Sequence, residues 1–68
     1  MNYKLNPKAL DLAMIRKGYS INKLSKKSGV GKATISRALR EMTTLRHQTI
    51  YKIAKALDLD VIDILEEN

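Results

Sequence analysis

Apolar residues recur at helical spacing along most of the chain, and turn residues break them into short segments. Leu10, Ala13 and Met14, with the aliphatic stem of Lys17, mark one face of a first helix over 7–17. Asn6 suits its N-cap, Pro7 its first turn, and Gly18 the left-handed stop after Arg16 and Lys17. Ser20 caps a second helix over 21–28, with Ile21, Leu24, Ser25 and Ser28 on one face, and Gly29 ends it. A third helix begins near Gly31 or Lys32 and runs to about Arg40. Ile35, Ala38 and Leu39 turn inward there, and Lys32, Ala33, Ser36, Arg37 and Arg40 turn outward. Residues 41–46 read as a loop. Ile50, Ile53, Ala54 and Leu57 follow the i, i+3, i+4, i+7 pattern of a fourth helix over 47–57. Asp60 caps a fifth over 61–66, with Asp63 in its acidic first turn. Five short helices with short links predict an all-α domain.

A chain of 68 residues allows one domain, taken here as 1–68. At this size about 60% of the unfolded chain's surface is buried, so the core is thin and leaves no deep substrate cavity. Tyr3, Tyr19 and Tyr51 are the only aromatics, so the core is aliphatic. The absence of cysteine excludes disulfides and thiolate metal sites. No apolar run of signal-peptide or membrane-span type is present, which predicts a soluble, cytoplasmic protein.

Charge changes the picture more. Residues 1–46 carry eleven Lys and Arg against Asp11 and Glu41, a balance of +9, while residues 47–68 carry −3, for a total of +6. A basic front with an acidic tail suits a polyanion partner at one face; a lysine-rich, merely soluble surface is the other reading.

The stretch 20–40 decides between them. Two short helices split by Gly29-Val30-Gly31 form a helix-turn-helix unit. Leu24 and Ile35 would pack the two helices together, Ser25 is small enough for close approach, and Gly29 accepts the left-handed conformation. Val30 would plug the turn into the core. Helix 3, about 32–40, then projects its N-terminal end, as an α-helix entering the major groove must. Lys32, Ala33, Ser36 and Arg37 are the candidate base contacts, with Arg37 able to pair with guanine O6 and N7 and Ala33 to meet a thymine methyl. Lys23, Lys27, Thr34, Arg40, Thr43 and Arg46 are the candidate phosphate contacts, which position without specifying. The helix 2 N-terminus is a further phosphate candidate.

These residues resemble the XRE family, which includes the lambdoid phage repressors and Cro. The resemblance rests on Gly18-Tyr19-Ser20, Leu24-Ser25, Gly29-Val30, Thr34-Ile35-Ser36-Arg37 and the later stretch 49–57, TIYKIAKAL, aligned without a gap over about 8–65. It implies a compact five-helix, lambda-repressor-like fold, binding to operator DNA, and often a two-fold dimer. Departures mark this chain. Ile21 stands where the family usually has a phosphate-binding Gln, and Ser25 where it often has Ala. Leu39-Arg40-Glu41 replaces the usual glycine-containing close of helix 3. The family's Arg–Glu pair between helices 1 and 3 falls on Met14 and Leu39, apolar together. An ion pair exchanged as a unit for apolar groups costs little, so Met14 is expected to contact Leu39.

The resemblance implies a sequence-specific, double-stranded-DNA-binding transcriptional regulator of repressor type, not an enzyme, compact like those of phages and mobile elements. No catalytic, metal or cofactor residue is assigned. Gly29-Val30-Gly31-Lys32-Ala33-Thr34 has Lys26 where a phosphate-binding loop needs glycine, and no strand is predicted before it. His47, the single histidine, is expected to begin helix 4 partly buried. Val61, Ile62, Ile64 and Leu65 either cover the core or offer a homodimer contact through the C-terminal helix. With no second domain, no small-molecule ligand is expected. The rival reading is a protein-interaction module, antitoxin-like or an anti-repressor subunit, that retains the fold. A membrane-surface peptide is disfavoured by the regular caps, and RNA binding by the scarcity of aromatics.

Overall fold

Asn6 turns the chain from a strand into a helix. In the computed structural model, which describes residues 2–41 and 43–65, its side chain accepts hydrogen bonds from the N–H groups of Lys8 (3.1 Å) and Ala9 (3.2 Å). Strand β1 (Asn2–Leu5) precedes it and helix α1 (Pro7–Lys17) follows. Helices α2 (Ile21–Ser28) and α3 (Lys32–Arg40), strand β2 (Thr43–Arg46) and helix α4 (His47–Ala56) come next, and a 3-10 turn over Val61–Ile64 closes the fold.

The helix ends lie where local chemistry puts them. Gly18 adopts φ 70°, and the N–H groups of Gly18 and Tyr19 return to the carbonyls of Ile15 and Met14. This doubly bonded stop uses a left-handed residue that glycine supplies without strain. The same stop ends α4 without a glycine. Asp58 takes φ 56°, its N–H bonds Lys55 O at 3.1 Å, and the Leu59 N–H bonds Ala54 O at 2.9 Å. An aspartate in this region is strained, though less than a β-branched residue.

An ion pair accompanies that strain. Lys17, at the end of α1, reaches Asp58 with Nζ 2.6 Å from Oδ2. The hydrogen bond, and then the charge, of Asp58 holds the Lys17 ammonium above the ordinary lysine range; Lys17 likewise holds Asp58 below the ordinary carboxylate range. Both side chains are reached by water, so the contribution is modest. Its signs are defined. The Asp58 part is complete above the ordinary carboxylate range and is lost as pH falls through the lowered value; the Lys17 part is lost as pH rises through the raised one. Asp58→Asn keeps a side chain that tolerates the left-handed backbone. It is expected to shallow the acid limb of a urea-midpoint against pH curve relative to wild type; an unchanged limb would show that the pair contributes nothing.

The core is aliphatic, as expected. Leu5, Leu10, Leu24, Ile35, Ile50, Ile53 and Ile64 are essentially inaccessible, and no polar side chain is buried among the described residues. Helix α3 packs on both α1 and α2, and α2 packs on α4. Met14 is buried in this core and Leu39 is half-buried against it.

Three expectations need correction. The fold is mostly helical but not all-α. Residues 41–46, read as a loop, contain β2, which pairs antiparallel with β1: Asn2 faces Arg46 and Leu5 faces Thr43. The fifth helix is a single 3-10 turn. Its Asp60–Asp63 capping box forms, but Leu65 then turns extended (φ −88°, ψ 153°) and bridges Leu5. The Asn6 N–H donates to Ile64 O at 2.8 Å. Pairing with β1 therefore satisfies backbone groups that a longer helix would have used internally; residue 66, the expected end of that helix, lies outside the described residues. Helix α4 closes at Ala56, one residue short of the expected end.

Candidate nucleic-acid interface

The helix-turn-helix is built from α2, the turn 29–31 and α3. Ser20 Oγ accepts from the Lys23 N–H at 3.1 Å and starts α2. Gly29 adopts φ 77° and its N–H closes on Ser25 O at 2.8 Å. Val30 is buried, plugging the turn as its apolar type suggested.

Two serine hydroxyls then clamp Val30. Ser25 Oγ donates to the Val30 carbonyl at 2.6 Å. Ser28 Oγ donates to the Leu24 carbonyl at 2.7 Å and accepts from the Val30 N–H at 3.1 Å. Both backbone groups of the plug residue are satisfied by side chains of the preceding helix, as half-buried polar groups require. The sequence reading took Ser25 only as small. The missed signal is a hydroxyl residue at each of two positions three apart, in the last turn before a glycine stop, where such side chains bond nearby backbone.

Helix α3 buries Ile35 and Ala38 completely. Lys32, Ala33, Arg37 and Arg40 are exposed on its other side, whereas Ser36 and Thr34 are half-buried. Of the candidate base contacts, Ser36 is therefore the least open. Arg37 is not idle in the free chain: its Nε lies 3.4 Å from Glu41 Oε1, an exposed i,i+4 pair. Such pairs contribute about 0.3–0.5 kcal/mol to stability.

Around α3 the phosphate candidates fall into separate groups. No side chain caps α3 or α4, whose N-cap residues are Gly31 and Arg46. Both helix N-termini border one shallow groove, lined by Gly31, Thr34, Thr44, Arg46, Thr49 and Lys52 among others. Unbonded N–H groups at helix starts, with Arg46 and Lys52 beside them, make this groove attractive to an anion. The structure thus brings together Thr34 and Arg46, and adds Thr49 and Lys52, which sequence reasoning did not single out. Arg40 is exposed at the far end of α3, and Lys23 is exposed on α2. Lys27 borders a different groove, between α2 and α4, with Tyr19, Tyr51, Lys52 and Lys55. The side chain of Thr43 lies outside the described part of the structure.

His47 begins α4 but is exposed, not partly buried. Ile64 is fully buried and Leu65 half-buried, so the set of four apolar residues offered for a dimer reduces to Val61 and Ile62 as open surface. Leu12 and Ile15 on α1 are exposed as well. Among the described residues no group of three or more His, Cys, Asp or Glu side chains is placed to hold a metal ion, and no helix is long and apolar enough to cross a membrane.

The family model described as the Cro/C1-type HTH DNA-binding domain matches residues 9–68. Neither the comparison with curated proteins nor that with solved structures gives a match.

Proposed function

Because the chain belongs to the Cro/C1-type helix-turn-helix DNA-binding domain family, we propose that residues 1–68 act as one cytoplasmic domain that reads operator DNA and represses transcription by occupying a promoter. In this reading α3 enters the major groove of double-stranded DNA. Arg37 reads a guanine, Lys32 and Ala33 reach neighbouring base edges, and Ser36 contributes from its half-buried position. Lys23, Lys27, Thr34, Arg40, Thr43 and Arg46 hold phosphates on either side, with the groove between the α3 and α4 N-termini as one phosphate seat.

One observation carries the reading. The exposed side of α3 carries Lys32, Ala33 and Arg37, exposed lysines stand on α2 at Lys23 and Lys27, and Arg46 of β2 shares a groove with Thr34 of α3. That arrangement supplies a sequence-reading element and the electrostatic attraction a DNA ligand needs. Val61 and Ile62 support a second copy packing there, which would place two α3 helices on a near-palindromic site.

The test is selection from a randomised duplex pool at two salt concentrations. A near-palindromic site is expected, with half-sites about one helical turn apart if two copies bind. Lys27→Ala is expected to weaken every duplex alike and to reduce the slope of log affinity against log salt by about 0.9, the loss of one phosphate contact. If no site is enriched and binding vanishes at moderate salt, the exposed Leu12, Ile15, Val61 and Ile62 favour the second reading, a protein-interaction module on the same fold.

A further inference from the structure

Between residues 20 and 46 the chain carries seven Lys and Arg and a single carboxylate, Glu41. That carboxylate occupies an unfavourable place. It caps the C-terminus of α3, beside the negative end of the helix dipole, in a segment whose proposed partner is a polyanion. Nothing in the core requires it, since its side chain is 62% exposed. A local rule broken for so small a structural gain points to function.

Among the described residues, both of its bonds return to Arg37. The Glu41 N–H donates to the Arg37 carbonyl at 3.1 Å, and Glu41 Oε1 faces Arg37 Nε at 3.4 Å. A guanidinium has five N–H donors in a fixed planar fork. With Nε turned towards Glu41, the two terminal nitrogens stay without a hydrogen bond among the described residues. Those two nitrogens form the end-on pair that fits guanine O6 and N7.

We propose that Glu41 is a positioning residue that holds Arg37 in its base-reading pose and keeps it off phosphates. The proposal rests on the reading of α3 as the recognition helix. On a random duplex the nearest anions are phosphates. There Glu41 competes for the guanidinium and repels the backbone, and both effects weaken binding. On the correct guanine, Arg37 keeps Glu41 on Nε while its terminal nitrogens hold the base, so the carboxylate stays neutralised. Glu41 therefore costs nonspecific binding more than specific binding, and raises their ratio.

The experiment compares wild type, Glu41→Gln, Arg37→Ala and the double variant on three duplexes. These are the selected operator, the operator with the Arg37-read base pair reversed, and a random duplex. Glutamine keeps the length and removes the charge, and unchanged circular dichroism melting checks the fold. Glu41→Gln is expected to bind the random duplex about tenfold tighter and the operator at most about threefold tighter, so that discrimination falls. In the Arg37→Ala background, Glu41→Gln is expected to strengthen all three duplexes alike. Unchanged discrimination in Glu41→Gln overturns the proposal. So does an equal loss of discrimination in the Arg37→Ala background, which reduces Glu41 to bulk charge. A wild type that selects no operator overturns the recognition-helix reading and this proposal with it, whereas a selected operator with unchanged discrimination in Glu41→Gln overturns this proposal alone.

Discussion

Ile35→Ala is expected to remove most of the domain's stability. Ile35 is fully buried on the inner face of α3, the helix that packs on both α1 and α2. Truncating a buried isoleucine to alanine costs about 2–5 kcal/mol, the lost transfer energy plus the cavity. Domains hold roughly 0.05–0.15 kcal/mol per residue, so a chain of this length has only about 3–10 kcal/mol in total. The core is aliphatic and thin, with few neighbours able to collapse into the space. At about 4–8 °C per kcal/mol, the melting temperature should drop by roughly 8–40 °C. Arg40→Ala on the exposed side of the same helix should stay within about 0.5 kcal/mol of wild type. Melts followed by circular dichroism decide this, and equal midpoints for the two variants would refute the assignment of faces to α3.

Arg37→Ala should behave in the opposite way, with a stable fold and impaired reading. Its side chain is exposed and its ion pair with Glu41 contributes little to folding. If its terminal nitrogens pair with a guanine, their loss removes about 1–3 kcal/mol of discrimination at that base pair, roughly 5- to 150-fold. The expected signature is positional: one base pair of the selected site loses its preference, and the others keep theirs. Binding to each single-base variant of the operator measures it. A uniform loss across all variants would assign Arg37 to a phosphate.

How far the sequence could be read depended on how local the cause was. Asn6, Gly18, Ser20 and Gly29 end or start helices through bonds within a few residues, and each does what its type suggested. Ala33 and Arg37 fall on the open face of α3 because the 3.6-residue period that buries Ile35 and Ala38 turns them outward, and Lys32 is open at the first position of the helix. The two strands escaped notice because each has four residues and its partner lies some forty positions away. Nothing in the sequence from 2 to 5 announces a pairing made by 43–46. The Lys17–Asp58 pair, 41 residues apart, was hidden for the same reason. The four apolar residues near the C-terminus could not be sorted by period, because a single 3-10 turn is too short to have one; β1 decides that Ile64 goes inward. The hydroxyls of Ser25 and Ser28 and the Arg37–Glu41 pair were within local reach. They were missed because small residues were read for size and charged ones for their external partners.

The strand β1 also sets a timetable for synthesis. Leu5 emerges about sixty residues before Leu65, the residue it bridges. At about 5–20 residues per second, that is a wait of roughly 3–12 s. Helices form in about a microsecond or less, so α1, α2 and α3 have time to assemble while β1 still lacks both of its neighbours. The edge of β1 that takes up Ile64 and Leu65 must remain solvated through that interval, and the short strand, with Tyr3 and Lys4 at its centre, limits its appeal to neighbouring nascent chains. Strand β1 is thus translated first and has its pairing completed last.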